Sequence, residues 1–313
     1  MAFKPLSFFT ADRSPVTMML VFAFFILFAG TILFYFFLFI GSLLFSFDIN
    51  NLSDPITGNS GNNIMFVRYL QVTQQLSFFL FPSVMMVKFY RSSDSQIIFS
   101  EKKIRGFDII LVFVLAFFAV SVTTWTGIIN SKLTLPDSLS GIEVWIREKE
   151  EKASAITNVL VESSDIQTYL MNLFILGIVP AVSEEMIFRG VMQQLFYRIF
   201  RTVHWPVWIT AIIFSTIHLQ FYGFFPRLIL GLIFGYLFLW SRNIILPVAA
   251  HFFNNAIAIS FTYFTGQGNL PGKSFEVSGE GIPAIPFLQI IGGIIILFYF
   301  RSKYQNKNNE NNR

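Results

Sequence analysis

The chain has 313 residues, 54% of them hydrophobic and only 13% charged, with a mean hydropathy of +0.61. A soluble domain carries roughly 25% charged residues, so this composition excludes that class and puts the chain in a membrane. The net charge of +4 then sets topology rather than binding nucleic acid, and a chain without cysteine has no disulfide, iron–sulfur cluster or thiolate zinc site.

The fold class this predicts is all-α, a polytopic transmembrane bundle. Lys4 and Arg13 precede an apolar run from Val16 to Phe47. That run far exceeds the roughly 7–15 residues of a signal-peptide core, so it is expected to stay as a first span. At about 20 apolar residues per crossing, spans are expected at 17–46, 64–89, 107–130, 166–183, 205–221, 225–241, 244–264 and 283–300, about eight in all. The second carries Arg68, Gln71, Gln74 and Gln75 at helical spacing, a polar stripe that faces protein or water rather than lipid.

The loops are read for sidedness. Loop 90–106 holds Arg91, Lys102, Lys103 and Arg105, and the C-terminal tail holds Arg301, Lys303, Lys307 and Arg313. Loop 47–63 has Asp48 and Asp54 with no cation. The positive-inside rule then puts both termini in the cytoplasm, which requires an even number of spans. Loop 131–165 is the one sizeable extramembrane segment. Its Ile142–Val161 stretch, with Glu148, Lys149, Glu150, Glu151 and Lys152, reads as an exterior helix, solvated or interfacial rather than a substrate-contacting lid. Glycine-rich loop 265–282 reads as an exterior turn, and the tail from Asn306 to Arg313 has nothing to bury and is expected to be disordered. Three regions follow: 1–165 with about three spans and the exterior loop, a core at 166–265, and a last span with its tail at 266–313.

The core holds groups that hydrocarbon disfavours: Glu184, Glu185, Arg189, His218, His251 and Asn255. An ionisable group at membrane depth costs several kcal/mol on the lower, insertion-based scales of about 2.5–3.5 per residue, so it is rarely kept without a partner or a task. On a helix Glu185 lies beside Arg189 at i+4 and can pair with it. Glu184 is rotated by about 100° and meets Phe188 at its own i+4, so it is the free carboxylate. A free carboxylate in an apolar, partly wet cavity suits general acid or base work. Alone, the Glu/Arg element reads equally well as a membrane-edge salt bridge, and His218 alone as an interfacial residue satisfied by a carbonyl. His251 and Asn255 share a face one turn apart, fit either for an oxyanion or for a helix–helix hydrogen bond. Asn254 shares that face at i+3, and spacing does not choose between the two.

Taken together the three elements, Glu184-Glu185-x-x-x-Arg189, Phe214-x-x-x-His218 and His251-x-x-x-Asn255, resemble the pattern of the CPBP family of intramembrane proteases, over roughly 166–265. That family includes type II CAAX prenyl endopeptidases and bacteriocin-processing or immunity-related relatives. The resemblance implies a multi-pass protein of the cell membrane that hydrolyses a peptide bond in a peptide or membrane-protein substrate, with no cofactor and no metal. It further implies that Glu184 and His218 activate water, that His251 and Asn255 form the oxyanion hole, and that Glu185 and Arg189 support the site.

Competing readings are a zinc protease using the two His and two Glu, a non-proteolytic scaffold or bacteriocin-immunity protein, and a small transporter with Glu184 as proton site. Against zinc stand the missing His-Glu-x-x-His and the poor ligand quality of Asn. His204, beside Trp205 and Trp208, reads as an interface anchor. Gly231 and Gly235 read as a close-packing face. Pro180 either kinks its span or is simply tolerated, and Pro226 with Arg227 opens the sixth span.

Overall fold

The structure, a computed structural model, describes residues 14–45, 61–89, 104–161, 165–265 and 285–310. These form nine helices: α1 (Pro15–Phe45), α2 (Ile64–Lys88), α3 (Gly106–Ser131), α4 (Ser140–Val161), α5 (Ile166–Phe200), α6 (His204–Thr216), α7 (Phe224–Ser241), α8 (Ile245–Thr265) and α9 (Phe287–Glu310). An apolar chain in lipid must satisfy its backbone within each segment, and long uninterrupted helices do so. Their starts are marked by side chains. Ser14 Oγ accepts from Thr17 N ahead of Pro15, and Asp165 accepts from Thr168 N at 2.8 Å. Arg201 and Arg242, in left-handed backbone, stop α5 and α7.

Seven of the helices are long and apolar enough to cross a membrane: α1, α2, α3, α5, α7, α8 and α9 as far as Tyr304. The all-α polytopic bundle expected from composition is thus present, with two changes in how the spans fall. The expected span at 205–221 is the 13-residue α6, about 20 Å long, against roughly 30 Å of hydrocarbon. The expected span at 166–183 does not stop at the glutamates. It runs on to Phe200 as a 35-residue helix, because partners from three other helices satisfy the charged residues in its middle. Of the charged residues from which sidedness was argued, Asp48, Asp54, Arg91, Lys102, Lys103 and Arg313 lie outside the described residues, as do Lys4, Arg13 and loop 266–284. The helix α9 continues to Glu310, into the segment expected to be disordered.

Two apolar clusters build the bundle. One joins α3, α7, α8 and α9 through Val112, Leu115, Phe234, Leu237, Leu246 and Phe300. The other joins α1, α2, α5 and α6 through Phe22, Met86, Phe188, Leu195 and Phe214. An ionic tie holds α9 to α3: Lys303 pairs with the fully buried Asp108, which also accepts from Tyr304 Oη at 3.0 Å. The outward faces of α1 and α9 carry exposed Leu20, Phe28, Ile32, Leu288 and Phe298, the side chains that lipid would cover.

The helix α4 forms where an exterior helix was expected. Its last carbonyls are capped by the bundle, with Arg68 of α2 donating to Leu160 O and Asn172 of α5 donating to Val161 O. The close-packing reading of Gly231 and Gly235 holds: a Cβ on Gly231 would lie 3.0 Å from that of Ala211, and one on Gly235 would lie 2.8 Å from Val207 Cγ1.

Candidate active site

The site lies between the two apolar clusters, built around the middle of α5. Two wide π-helical turns, Leu173–Ile178 and Met186–Met192, flank a short α-helical piece, Val179–Glu185, that carries both glutamates. Such turns widen the helix and re-aim its side chains, a recurrent device at functional sites. A third, Gln75–Leu80, faces them from α2.

Glu185 and Arg189 pair at 2.7 Å, both fully buried, as their i,i+4 spacing requires. The second terminal nitrogen reaches across the bundle: Arg189 Nη2 donates to Gly231 O at 2.9 Å, and one turn on Gln193 Nε2 donates to Gly235 O at 3.1 Å. The Gly face of α7 therefore serves twice, letting α6 approach closely and leaving its carbonyls open to α5. The rings of Phe214 and Phe234 lie 5.2 and 5.4 Å from the guanidinium carbon, so the cation is held by aromatic faces as well as by its carboxylate.

The same carboxylate oxygen holds His251. Nδ1 of His251 lies 2.9 Å from Glu185 Oε1, and because a carboxylate only accepts, Nδ1 carries the proton. The ring stacks on Phe234 at 5.0 Å and meets Phe214 edge-on. Its Nε2 is thereby turned to Glu184 Oε2, 4.0 Å away. Glu184 is not without partners either: Gln75 Nε2 donates to its Oε1 at 2.9 Å, and Ser183 Oγ donates to Gln75 Oε1 at 2.6 Å. Glu184 keeps 6% exposure and Glu185 none, so only the former can meet water.

His218 lies just past the end of α6, half-buried. Its Nδ1 donates to Phe214 O at 2.7 Å, which caps the helix and leaves Nε2 with the lone pair of a base. Glu184 and His251 are both within its electrostatic reach. Asn255, one turn beyond His251, has its amide engaged elsewhere: Nδ2 donates to Leu176 O at 3.2 Å. Pro180 has no N–H to give that carbonyl four residues back, so the carboxamide serves it instead. Asn254 Nδ2 lies 3.4 Å from Asn255 Oδ1.

The structure therefore brings Glu184, Glu185, Arg189, His218 and His251 together and sets Asn255 beside them, held by a helix–helix hydrogen bond. Sequence reading missed the contact of Gln75 with Glu184, though the polar stripe on α2 had flagged that residue. It also missed Ser183, the Phe234 platform and the Gly231 carbonyl. Among the described residues no three His, Asp or Glu side chains are grouped as ligands for one metal ion. His251 Nδ1 and Glu185 Oε1 are engaged with each other beside a buried guanidinium, a poor setting for a dication.

A buried carboxylate–imidazole cluster inside a bundle of membrane-crossing helices defines a multi-pass membrane protein with a polar site at depth. Residues 166–257, the stretch that holds every one of these motifs, match the Rce1-like family, described as type II CAAX prenyl endopeptidase. The match bears out the resemblance to CPBP proteases over that stretch. The chain is also similar to a Bacillus subtilis (strain 168) protein described as uncharacterized protein YpbD, 27% identical over 90 residues, which is 28% of this chain and 43% of that protein. No solved structure matches.

Proposed function

We propose that residues 166–265 form the catalytic core of an intramembrane endopeptidase that hydrolyses peptide bonds with glutamate-activated water. The family match supports a CAAX-type intramembrane protease in general. The observation that carries the finer reading is the division of labour between two adjacent carboxylates: Glu185 is neutralised by Arg189, while Glu184 retains exposure and faces an imidazole.

Glu184, with His218 Nε2 as a second base, takes a proton from water, and the hydroxide attacks the scissile carbonyl. His251 then acts as a donor. In this reading His251 carries a proton on both ring nitrogens throughout the cycle: Nδ1–H stays on the Glu185 carboxylate and Nε2–H donates to the tetrahedral oxyanion; one such donor is typically worth about 2.7–4 kcal/mol. Asn255 joins it when its amide leaves Leu176 O. Glu184 finally protonates the leaving amine, so the carboxylate, the imidazoles and the proton count return to their starting state with no covalent intermediate.

Comparative peptidomics of membranes holding wild type or Glu184→Gln tests this. Peptides present only with wild type are expected. Identical profiles would contradict the proposal and leave the scaffold reading.

A further inference from the structure

The loop 217–223, which carries His218, makes few bonds of its own. Leu219 sits in left-handed backbone at φ 52°, a strained choice for a branched side chain, and it is 85% exposed. What fixes the loop comes from outside it. Asn130 at the end of α3 donates from Nδ2 to Phe221 O at 2.8 Å, and Tyr222 N donates to Glu150 Oε1 of α4 at 2.8 Å. Arg147 lies over the Tyr222 ring at 4.7 Å, and that guanidinium is itself held by Glu143 at 2.7 Å. Glu143 in turn accepts from Leu135 N at 2.8 Å, tying the start of α4 to the connection that follows α3. Arg227 of α7 donates to Gln220 of the same loop and stands within electrostatic reach of both Glu150 and Glu184. The helix that the sequence suggested was solvated or interfacial thus grips the loop that holds a candidate base.

We infer that Glu150 is a positioning residue for His218: by accepting the Tyr222 amide it anchors the 217–223 loop to α4, so the exterior helix sets where the imidazole stands. The charged and titratable groups around this joint are Glu143, Arg147 and Glu150 from α4, Arg227 from α7, Glu184 from α5 and His251 from α8. The inference rests on the reading of His218 given above, but the anchoring itself can be measured without it.

Hydrogen–deuterium exchange on the full chain in nanodiscs tests the anchor. In Glu150→Ala the amides of 219–224 are expected to exchange about tenfold faster, the worth of one hydrogen bond to a charged group, with α9 unchanged. Glu150→Gln, whose amide oxygen still accepts, restores the wild-type pattern, and Glu148→Ala on the exposed face leaves it untouched. Glu184-dependent peptide release follows the same order, down about tenfold in Glu150→Ala and recovered in Glu150→Gln. Wild-type exchange in Glu150→Ala, or no rescue by Gln, would overturn the inference. Equal release from wild type and Glu184→Gln would instead sink the reading of Glu184, while the exchange result still decides the anchor.

Discussion

His251 Nδ1 and Glu185 Oε1 stand 2.9 Å apart, although 66 residues separate them in the chain. This contact gives the second glutamate a task beyond neutralising Arg189: it holds the Nδ1–H of the imidazole and so turns Nε2 toward Glu184. A carboxylate orienting a histidine is a general way to set tautomer and ring position. Here Arg189 pairs with that same carboxylate oxygen at 2.7 Å.

Breaking this network should cost stability before it costs chemistry. Arg189→Ala leaves Glu185 as a buried uncompensated charge, and about 3–5 kcal/mol of destabilisation is expected. Glu185→Gln combined with Arg189→Ala removes the orphaned charge, so the double variant should lose less than the sum of the singles. Thermal unfolding of the four proteins in detergent checks this; strictly additive losses would show that the pair is uncoupled.

The contact from Gln75 to Glu184 predicts a residue outside the family match that matters for turnover. A hydrogen bond to a charged group is worth about 1.5–3 kcal/mol, so Gln75→Ala should slow peptide release at least about tenfold. Release at the wild-type rate by Gln75→Ala, whatever its unfolding temperature, would show that the amide has no part in turnover.

Close approach of α6 and α7 makes Gly231 sensitive. A methyl there would stand 3.1 Å from the Ala211 Cα, which is backbone and cannot swing away. Gly231→Ala is expected to destabilise by about 1–3 kcal/mol through overpacking. Because Gly231 O also accepts from Arg189, peptide release should fall as well. Unfolding and release measured together test both effects, and a variant indistinguishable from wild type would contradict the packing account.

Metal removal separates glutamate from zinc chemistry. If water is activated by Glu184 and His218, exhaustive chelation leaves release unchanged. Loss of release after chelation, restored by added zinc, would transfer the mechanism to a metal.

Much of this was legible in the sequence because it is local. The Glu185–Arg189 pair follows from i,i+4 geometry, and the Gly231/Gly235 face from small-residue spacing. Hydropathy found the helices, but it misjudged α5, since two adjacent glutamates look like a span end until their partners are known. Those partners arrive from α2, α7 and α8, brought in by tertiary packing that spacing along one helix does not encode. Asn255 shows the same limit: its i+4 relation to His251 fitted either an oxyanion or a helix–helix hydrogen bond, and only the carbonyl opposite Pro180, which takes its amide here, tells the two apart.

The central claim concerns one carboxylate, and one rate tests it most directly. Purified wild type and Glu184→Gln, reconstituted in vesicles and matched for unfolding temperature, are given a peptide substrate identified from the membrane comparison. The account predicts a loss of kcat on the order of 10²–10⁴ for the variant, the usual worth of a general acid–base group. Cleavage by Glu184→Gln at the wild-type rate would contradict it.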